Sequence, residues 1–409
     1  MIRLFINGLA ASAGGGLTYL RNVIPHLARR VDTETTVLLS PVVRREFGDL
    51  PHVCFVETLE SLGVFRRFIR EQTALPKLIR RSGAQVLISA GNFASWNSPV
   101  PQILLSRNSL YTSADFRHDV RARGDYTIWA DTLVKGWLAR RSIGRAEITV
   151  APSEAFAQEL IRWSGRKVLA VHHGFDPDAF TSDAEPLPAA AQAQLEQGKD
   201  VLRLLFVSHY NYYRNFETLF RALPILSERL NGKKVKLFLT CRLNSDQNPG
   251  SYRTEAASSL VSRLRSSESV VELGTVPYRL LHHLYRACHI YVTPAYAESF
   301  AHPLIESMSS GLPVVASDLP VHREICGDAA VYFPRFSPEA LTERVVQIHE
   351  STELAERLSH NGLRRARDFS WSEHVDRLVV LAEELVRSES AKPMAERQNQ
   401  PFNSGSALL

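Results

Sequence analysis

Two carboxylates, Glu298 and Glu306, stand eight positions apart in the stretch ESFAHPLIESMSSGLPVVAS, with a proline between them. Pro303 suits the first turn of a helix, because the N–H that it lacks would have no partner there. Gly311 suits the position just after a helix, where a positive φ costs little without a Cβ atom. The β-branched run that follows is typical of a buried parallel strand. The stretch therefore predicts a loop that carries Glu298, a helix that carries Glu306 near its start, and a strand.

Such a loop and helix start can bind an anion. N–H groups between Phe300 and Leu304 would point at one site, with the positive end of the helix dipole behind them, so phosphate is the expected ligand. A carboxylate beside that site is a poor phosphate ligand but a good acceptor for the paired hydroxyls of a sugar or a ribose. Taken alone, two glutamates eight positions apart near a helix start are better explained by the preference for acidic residues there and a solvated helix face. The register of the proline, the glycine and the strand favours a pocket for a sugar nucleotide.

The length of the chain predicts two domains, because its 409 residues exceed the ~250 to 300 that one hydrophobic core usually serves. With 44% hydrophobic and 22% charged residues, the composition is that of an ordinary globular protein. No apolar run approaches the roughly 18 residues of a membrane-spanning helix. The opening residues predict a strand rather than a signal peptide, because Asn7 and several glycines interrupt them. Four scattered cysteines without a CxxC pair are typical of reduced, buried residues in a cytoplasmic protein: Cys54, Cys241, Cys288 and Cys326.

Apolar runs alternate with amphipathic stretches along both halves of the chain, which predicts an α/β fold with parallel sheets. The strands expected in the first half are 2–6, 35–39, 53–57, 85–89, 103–106, 148–151 and 167–171. Those expected in the second half are 202–207, 235–240, 270–273, 290–293, 314–316 and 330–333. We expect a first domain over 1–180, a linker with a short helix over 181–200, a second domain over 201–370, a helix over 371–388 that packs back on the first domain, and a disordered tail over 389–409.

Polar residues and glycines follow several of the expected strands of the first domain. Gly15 and Gly16 lie in a glycine loop between the first strand and a helix, as in a Rossmann-like unit. The pattern is not GxGxxG, and the next strand does not end in an acidic residue, so a dinucleotide cofactor is not expected. Asn92, Arg107 and Asn108 follow later strands, and ligands bind at the carboxyl ends of strands in such folds. We expect these three on the acceptor side of the site.

The stretch from Glu298 to Ser317 resembles the donor signature of the family 4 retaining glycosyltransferases, which have the two-domain GT-B architecture. That signature is a Glu, seven residues, a second Glu and then Gly-x-Pro-Val-Val-Ala-Ser, and this chain has each part of it. The resemblance covers residues from about 2 to 387 and is strongest over 270–333. It implies two Rossmann-like domains facing across a cleft, the N-terminal one for an acceptor and the C-terminal one for an activated sugar.

By resemblance, Glu298 contacts the donor sugar and Glu306 holds the ribose of the nucleotide. Arg214 occupies the position of the family lysine, and its guanidinium can neutralise a diphosphate. Glu298 and Arg214 are therefore the expected catalytic residues. The other donor-binding positions that the resemblance implies are Gly15, Gly16, His209, Asn215, Val276, Ser299, Phe300, Ala301, His302 and Leu304.

The chain departs from the family pattern in three regions. Ala301 and His302 replace Gly-Leu, which changes the freedom of the loop and adds a side chain near the sugar. His209 replaces an arginine, so the diphosphate is held either with less fixed charge or beside a protonated histidine. No histidine stands near Arg107 and Asn108, where the family often has one that touches the donor sugar.

Two short motifs raise the alternative of a metal site. Asp176-Pro177-Asp178 is formally the DxD motif with which the other main glycosyltransferase fold holds a metal ion, and His172 and His173 are adjacent. DxD is short, and no cysteine or carboxylate stands at ligand spacing from the two histidines. We expect no metal and no cofactor, with a nucleotide-diphosphate sugar as donor substrate.

The net charge of +5 resides in the first half of the chain. Residues 1–180 hold 23 Lys and Arg against 16 Asp and Glu, and the remainder holds 25 against 27. Arginines interleave with apolar residues over 65–81 and 135–145, a composition that suits an anionic membrane surface or a lipid-linked acceptor. A solvated helix face with extended arginine side chains explains them nearly as well. No nucleic-acid motif accompanies the charge, so nucleic acid is not an expected partner.

These features predict a metal-independent hexosyltransferase that moves a sugar from a GDP- or UDP-sugar to a hydroxyl of a glycan or lipid-linked glycan, with retention of configuration. Its expected role is envelope or exopolysaccharide assembly, in the cytoplasm or at the inner face of the cytoplasmic membrane. Two other functions stay open. One is a scaffold that binds a sugar nucleotide without transfer, and the other is a nucleotide-sugar epimerase on the same fold. The fold alone does not separate them.

Overall fold

The computed structural model describes residues 1–11, 14–57, 64–196, 201–244, 252–264 and 268–391. The strands are β1 (Ile2–Asn7), β2 (Thr33–Leu39), β3 (Val53–Glu57), β4 (Val86–Ser89), β5 (Gln102–Leu105), β6 (Ile148–Ala151), β7 (Leu169–Ala170), β8 (Leu202–Phe206), β9 (Val235–Leu239), β10 (Val270–Glu272), β11 (Ile290–Thr293), β12 (Val314–Ser317) and β13 (Ala330–Phe333). The helices are α1 (Gly14–Ala28), α2 (Pro41–Arg44), α3 (Val64–Thr73), α4 (Leu75–Ser82), α5 (Ala114–Ala122), α6 (Tyr126–Ile143), α7 (Glu154–Ser164), α8 (Pro177–Thr181), α9 (Ala189–Glu196), α10 (Phe216–Arg229), α11 (Glu255–Arg263), α12 (Leu281–Ala287), α13 (His302–Ser309), α14 (Pro320–Cys326), α15 (Pro338–Glu350), α16 (Thr352–Arg365) and α17 (Trp371–Ala391).

Within the described residues, seven strands form a first sheet in the order β3-β2-β1-β4-β5-β6-β7. Its pairs run parallel, and Leu4 of β1 lies between Thr35 of β2 and Val86 of β4. Every residue of β4 and β5 is buried, as expected for central strands of a parallel sheet with helices on both faces.

Six described strands form a second parallel sheet in the order β10-β9-β8-β11-β12-β13. The chain order changes direction between β8 and β11, where Ile290 lies opposite Leu204. Ligands of open α/β sheets bind at such a switch point, beyond the carboxyl ends of the strands. The loops that follow β8 and β11 therefore emerge side by side at the edge where a ligand is expected.

The predicted α/β fold with two parallel sheets is confirmed, and each expected strand is present with its ends within two residues of the prediction. The linker contains α9, and the expected C-terminal helix is α17. Gly15 and Gly16 lie in the first turn of α1, so the prediction of a loop at these glycines was wrong. The end of the linker and the predicted tail beyond residue 391 lie outside the described residues.

The contacts divide the described chain into two compact units. Unit 1 contains Met1–Ser106, Arg141–Val150 and the chain from Val375 on, and unit 2 contains Arg107–Arg140 and Ala151–His374. Within unit 1, Arg30 forms ion pairs with Asp32 and with Asp376 of α17.

Unit 2 includes a segment from the first half of the sequence, α5 and most of α6, which is held by charged contacts. Arg123 lies 2.9 Å from Asp119 and 2.8 Å from Glu217 of α10, and Asp119 also accepts a hydrogen bond of 2.6 Å from the Tyr296 hydroxyl. Contacts of the same kind join Asp115 to Arg335 and Asp125 to Tyr212 and Arg253. Residues 107–140 are therefore part of the framework that surrounds the site in unit 2.

Candidate functional site

Helix α13 begins after a turn with an unusual backbone conformation. Ala301, its N-cap residue, has φ 67° and ψ 65°, a left-handed conformation that costs a residue with a Cβ atom about 1–2 kcal/mol. Pro303 lies in the first turn, and Gly311, with φ 71°, follows the helix end. Among the described residues, the N–H groups of Phe300, Ala301 and His302 have no hydrogen-bond acceptor. The helix start therefore presents free donors, as the sequence predicted.

Two other loop donors are already used, which corrects the predicted set. The N–H of Ser299 donates to Glu298 Oε1 at 3.3 Å, and the N–H of Leu304 donates to the carbonyl of Ala301 at 3.0 Å. The anion site at the start of α13 is thus limited to three consecutive N–H groups, those of residues 300–302.

Arg214 and Glu298 form an ion pair between Arg214 Nη1 and Glu298 Oε2. The two residues lie in the loops that follow β8 and β11, and the arginine also stacks on Tyr213, 4.8 Å from the ring centroid. Burial disfavours the charged guanidinium, but the carboxylate of Glu298 outweighs it and raises the pKa of Arg214 above its usual value. Arg214 Nε is buried and has no hydrogen-bond partner among the described residues. This donor is therefore unsatisfied within the described part of the protein.

The turn that carries Arg214 is fixed by the next residue. Asn215 adopts φ 56°, and its amide nitrogen donates to the carbonyls of Pro294 and Arg335 at 3.1 and 2.6 Å. Its side chain is thus committed to protein contacts, and its effect on a ligand would come through the position of Arg214.

The sequence left the protonation state of His209 open, either neutral or protonated. Desolvation and the positive charge of Arg214 lower the pKa of His209 below its ordinary value. Both effects favour the neutral imidazole of His209.

Glu306 lies in a different environment from Glu298. It is 4% exposed, and its described hydrogen-bond donor is the Tyr285 hydroxyl of α12, 2.8 Å from Oε2. Burial raises the pKa of Glu306 to about 7, so the acid and the carboxylate are both populated near neutral pH. Either form can bind a hydroxyl, one as donor and acceptor and the other as acceptor only. Sequence reasoning missed Tyr285, because no motif in α12 marks it.

The loop before α13 packs into a cluster of histidines and aromatic rings. The ring of His302 stacks on His173 at 5.3 Å and on Trp371 at 6.0 Å, and Phe300 lies 4.9 Å from His302. Burial lowers the pKa of His302 and of His374 to about 4 and that of His173 well below its usual value. The cluster is therefore neutral at pH 7, and it supports the loop as an apolar core would.

The two motifs that suggested a metal have other roles in unit 2. Asp176 caps α8 by accepting a hydrogen bond of 3.0 Å from the N–H of Ala179. His172 Nε2 lies 2.5 Å from Glu324 Oε1. Within the described parts of the chain, no three His, Cys, Asp or Glu side chains gather as a metal ion would require.

The loop that carries Glu298 is fastened to the start of α7. Ser153 Oγ donates to the carbonyl of Ser299 at 2.8 Å. The carboxylate of Glu324 accepts hydrogen bonds from the N–H groups of Glu154 and Ala155 at 2.7 and 2.6 Å. Burial opposes ionisation of Glu324, but its hydrogen bonds prevail and lower its pKa. The carboxylate of Glu324 thus binds the free N–H groups at the start of α7, where an external anion could otherwise bind. The sequence indicated only polar residues after a strand at this point.

The remaining predicted positions are distributed over both units. Those in unit 1 are Gly15, Gly16 and Asn92. In unit 2, Asn108 Oδ1 accepts a hydrogen bond of 3.0 Å from the N–H of Leu110, and so caps a short turn. The charge of Arg107 contributes to the low pKa of His302, which places its guanidinium near the loop before α13. Val276 is half-buried in the loop after β10.

Residues 189–365 match the family model described as "Glycosyl transferases group 1". The chain is 34% identical over 99 residues to O-antigen chain mannosyltransferase B of Escherichia coli, a match over 24% of this chain and 26% of that protein. It is 27% identical over 257 residues to D-inositol 3-phosphate glycosyltransferase of Streptomyces griseus, over 57% of this chain and 54% of that protein. The matches thus span about a quarter and about half of these curated relatives.

Two solved structures share the fold. Sucrose-phosphate synthase from Thermosynechococcus elongatus has a TM-score of 0.77 at 17% identity, over 95% of this chain and 100% of that one. Anabaena HepE in complex with UDP and glucose has a TM-score of 0.68 at 16% identity, over 94% and 100% of the two chains.

The two parallel-sheet α/β domains are those of the GT-B fold. The site in unit 2 brings together two glutamates, an arginine and a helix start with free N–H donors. Over residues 189–365 the chain is similar to the group 1 glycosyltransferases, a match that spans less than half of its 409 residues.

Proposed function

We propose that this protein transfers a hexose from a UDP- or GDP-sugar to a hydroxyl of a glycan or lipid-linked glycan, with retention of anomeric configuration and without a metal ion. The observation that carries the proposal is the arrangement within unit 2 of the Arg214–Glu298 ion pair and of Glu306 on the helix that follows. A lipid-linked acceptor would place the enzyme at the inner face of the cytoplasmic membrane.

The groups of the site suit the successive parts of such a donor. The N–H groups at the start of α13 and the positive charge of Arg214 would stabilise the diphosphate, which gains negative charge as it leaves. Glu306 with Tyr285 would bind the hydroxyls of the ribose. Glu298, oriented by Arg214, would face the sugar and stabilise positive charge at its ring oxygen and anomeric carbon. The acceptor oxygen bonds to that carbon as the diphosphate oxygen departs, and the acceptor proton passes to the diphosphate on the same face.

The named relatives support the substrate classes. One acts on the O-antigen chain as a mannosyltransferase, others are D-inositol 3-phosphate glycosyltransferases, and HepE has also been crystallised with UDP-glucose. A hexosyl nucleotide as donor and a hydroxyl-rich acceptor are consistent with these names.

The test is a panel of GDP- and UDP-sugars with EDTA present, scored by thermal shift and by slow donor hydrolysis. We expect one donor to stabilise the protein, Glu306→Ala to lose that stabilisation, and Glu298→Ala to keep binding but lose turnover. Glu343→Ala, an exposed change on α15, is the matched control and should behave as wild type.

Other results would point to the alternative functions. Binding without hydrolysis or transfer to any acceptor would indicate a scaffold. Release of an altered sugar without an acceptor would indicate an epimerase. Binding that requires Mg²⁺ or Mn²⁺ would contradict the metal-free mechanism.

A further inference from the structure

Helix α6 exposes a contiguous apolar surface. Leu133, Val134 and Trp137 are 42%, 60% and 59% exposed, and Tyr126 near the helix start is exposed as well. At 100° per residue these four positions fall on one side of the helix, together with the exposed Ala130. We call Tyr126, Ala130, Leu133, Val134 and Trp137 the α6 face. A solvated helix normally turns such side chains toward a core.

Basic residues continue this surface toward the end of the helix. Arg140 is exposed on the same side of α6, and Arg145 is exposed just beyond the helix. Asp131, an exposed acid of α6, lies at the margin of the face and is paired with Lys135 at 2.6 Å. The α6 face is therefore apolar along its length, basic at its end and free of acidic residues.

In the other arginine-rich segment of the first half, the described side chains of residues 67–81 expose one large apolar residue, Ile69, and no comparable face. Phe68 packs edge-on against Phe93 and Trp96, with ring centroids 6.0 and 5.5 Å apart. Leu75 and Ile79 are buried. The arginines of α4 thus lie on the solvated side of a helix whose apolar residues face the core, which was the alternative explanation from the sequence.

We propose that the α6 face docks on an anionic lipid surface. Leu133, Val134 and Trp137 lie at the boundary of headgroups and acyl chains, and Arg140 and Arg145 contact lipid phosphates. No described helix is long and apolar enough to cross a bilayer, so the contact is peripheral. A second copy of the chain fits this surface less well, because the face has no acidic residue to pair with the arginines of a partner. The inference rests on the proposed function, because a lipid-linked acceptor would lie in a membrane and docking of the α6 face would bring the enzyme to that membrane.

The test uses the full chain and sedimentation with two kinds of vesicle, phosphatidylcholine alone and equal parts of phosphatidylcholine and phosphatidylglycerol. We expect binding to the anionic vesicles that added salt weakens. The triple variant Leu133→Ser, Val134→Ser, Trp137→Ser should bind about tenfold more weakly or worse. Arg140→Gln and Arg145→Gln should each weaken binding by about fivefold. The control is Val31→Ser with Val42→Ser, two exposed valines elsewhere, which should bind as wild type.

Two results would overturn the proposal. One is wild-type protein that stays in the supernatant with both vesicles, and the other is a triple variant that binds as well as wild type. If sedimentation velocity shows a dimer that the triple variant dissociates, and vesicles do not bind, the occupant of the face is a second copy and the proposal is wrong. Thermal shift with the donor separates the two hypotheses. Donor binding without vesicle binding leaves the proposed function standing, and vesicle binding without donor binding leaves the lipid contact standing.

Discussion

Two glutamates of one short motif acquire different properties from their surroundings. Glu298 is paired with the guanidinium of Arg214, so its charge is compensated inside the site. Glu306 is almost fully buried beside a phenol and no cation, and burial therefore raises its pKa to about 7. Under the proposed function, the first would stabilise positive charge on a sugar and the second would bind hydroxyls in either protonation state.

This difference makes a prediction for Glu306→Gln. The folded pKa of Glu306 is about 7 and its ordinary value 4.5, so the folded protein binds the proton more tightly than the unfolded chain does. As the pH rises between these values, wild type should lose up to about 1.4 kcal/mol of stability per pH unit relative to the variant, and the difference should then stay constant. Urea unfolding at pH 5 and pH 8 measures it. Glu343→Gln, exposed on α15, should show no such trend, and an equal effect of Glu306→Gln at both pH values would contradict the argument.

The start of α7 is bonded to the loop that precedes α13 as well as being capped by its own serine. Ser153 caps α7 by accepting from the N–H of Phe156 at 3.2 Å, and it also donates to the loop carbonyl of Ser299. Ser113 caps α5 in the same way, accepting from the N–H of Phe116 at 3.1 Å. The two caps therefore form a matched pair, of which only Ser153 bonds to the loop before α13 among the described contacts.

Ser153→Ala and Ser113→Ala should each destabilise the protein by about 1 kcal/mol, the usual contribution of a serine N-cap. Only Ser153→Ala should also raise the KM for the donor, by roughly two- to tenfold, the equivalent of one hydrogen bond. Urea unfolding and donor titration measure the two effects. Equal KM values for both variants would mean that the bond to Ser299 does not position the loop.

Unit 2 is a body assembled from distant parts of the sequence. Arg123, from the first half, bonds to Glu217 of the second half, 94 positions away, and to Asp119 on its own helix. Burial opposes the charge of Arg123, but these two carboxylates raise its pKa above the usual value. The segment around α5 is thus held to α10 by ion pairs in which the charges of Arg123, Asp119 and Glu217 compensate one another.

Arg123→Met should therefore destabilise the protein by about 2 kcal/mol or more, because it leaves two partly buried carboxylates without their cation. Arg121→Met, which removes an exposed arginine two residues earlier in the same segment, should change the free energy of unfolding by less than about 0.5 kcal/mol. Denaturant unfolding of both variants is the measurement. Similar losses for the two would show that the network around Arg123 adds nothing measurable.

Much of this protein could be read from local patterns. Apolar runs such as 314–316 predicted the buried strands, because a parallel strand covered on both faces must be apolar along its length. Pro303 and Gly311 predicted the limits of α13, because each favours a particular backbone conformation. The register of Glu298 and Glu306 with that proline, that glycine and the following strand also predicted a sugar-nucleotide pocket, which stays a prediction.

The contacts that define the site depend on strand order and burial, which have no local signal. Arg214 meets Glu298, 84 positions away, because β8 and β11 are neighbours in the sheet. Tyr285 reaches Glu306 because α12 packs against α13, and the resulting burial, rather than the residue type, raises the pKa of that carboxyl. Local sequence patterns therefore predict which residues lie at the site. Packing between distant segments determines the hydrogen-bond partners and the ionisation of those residues.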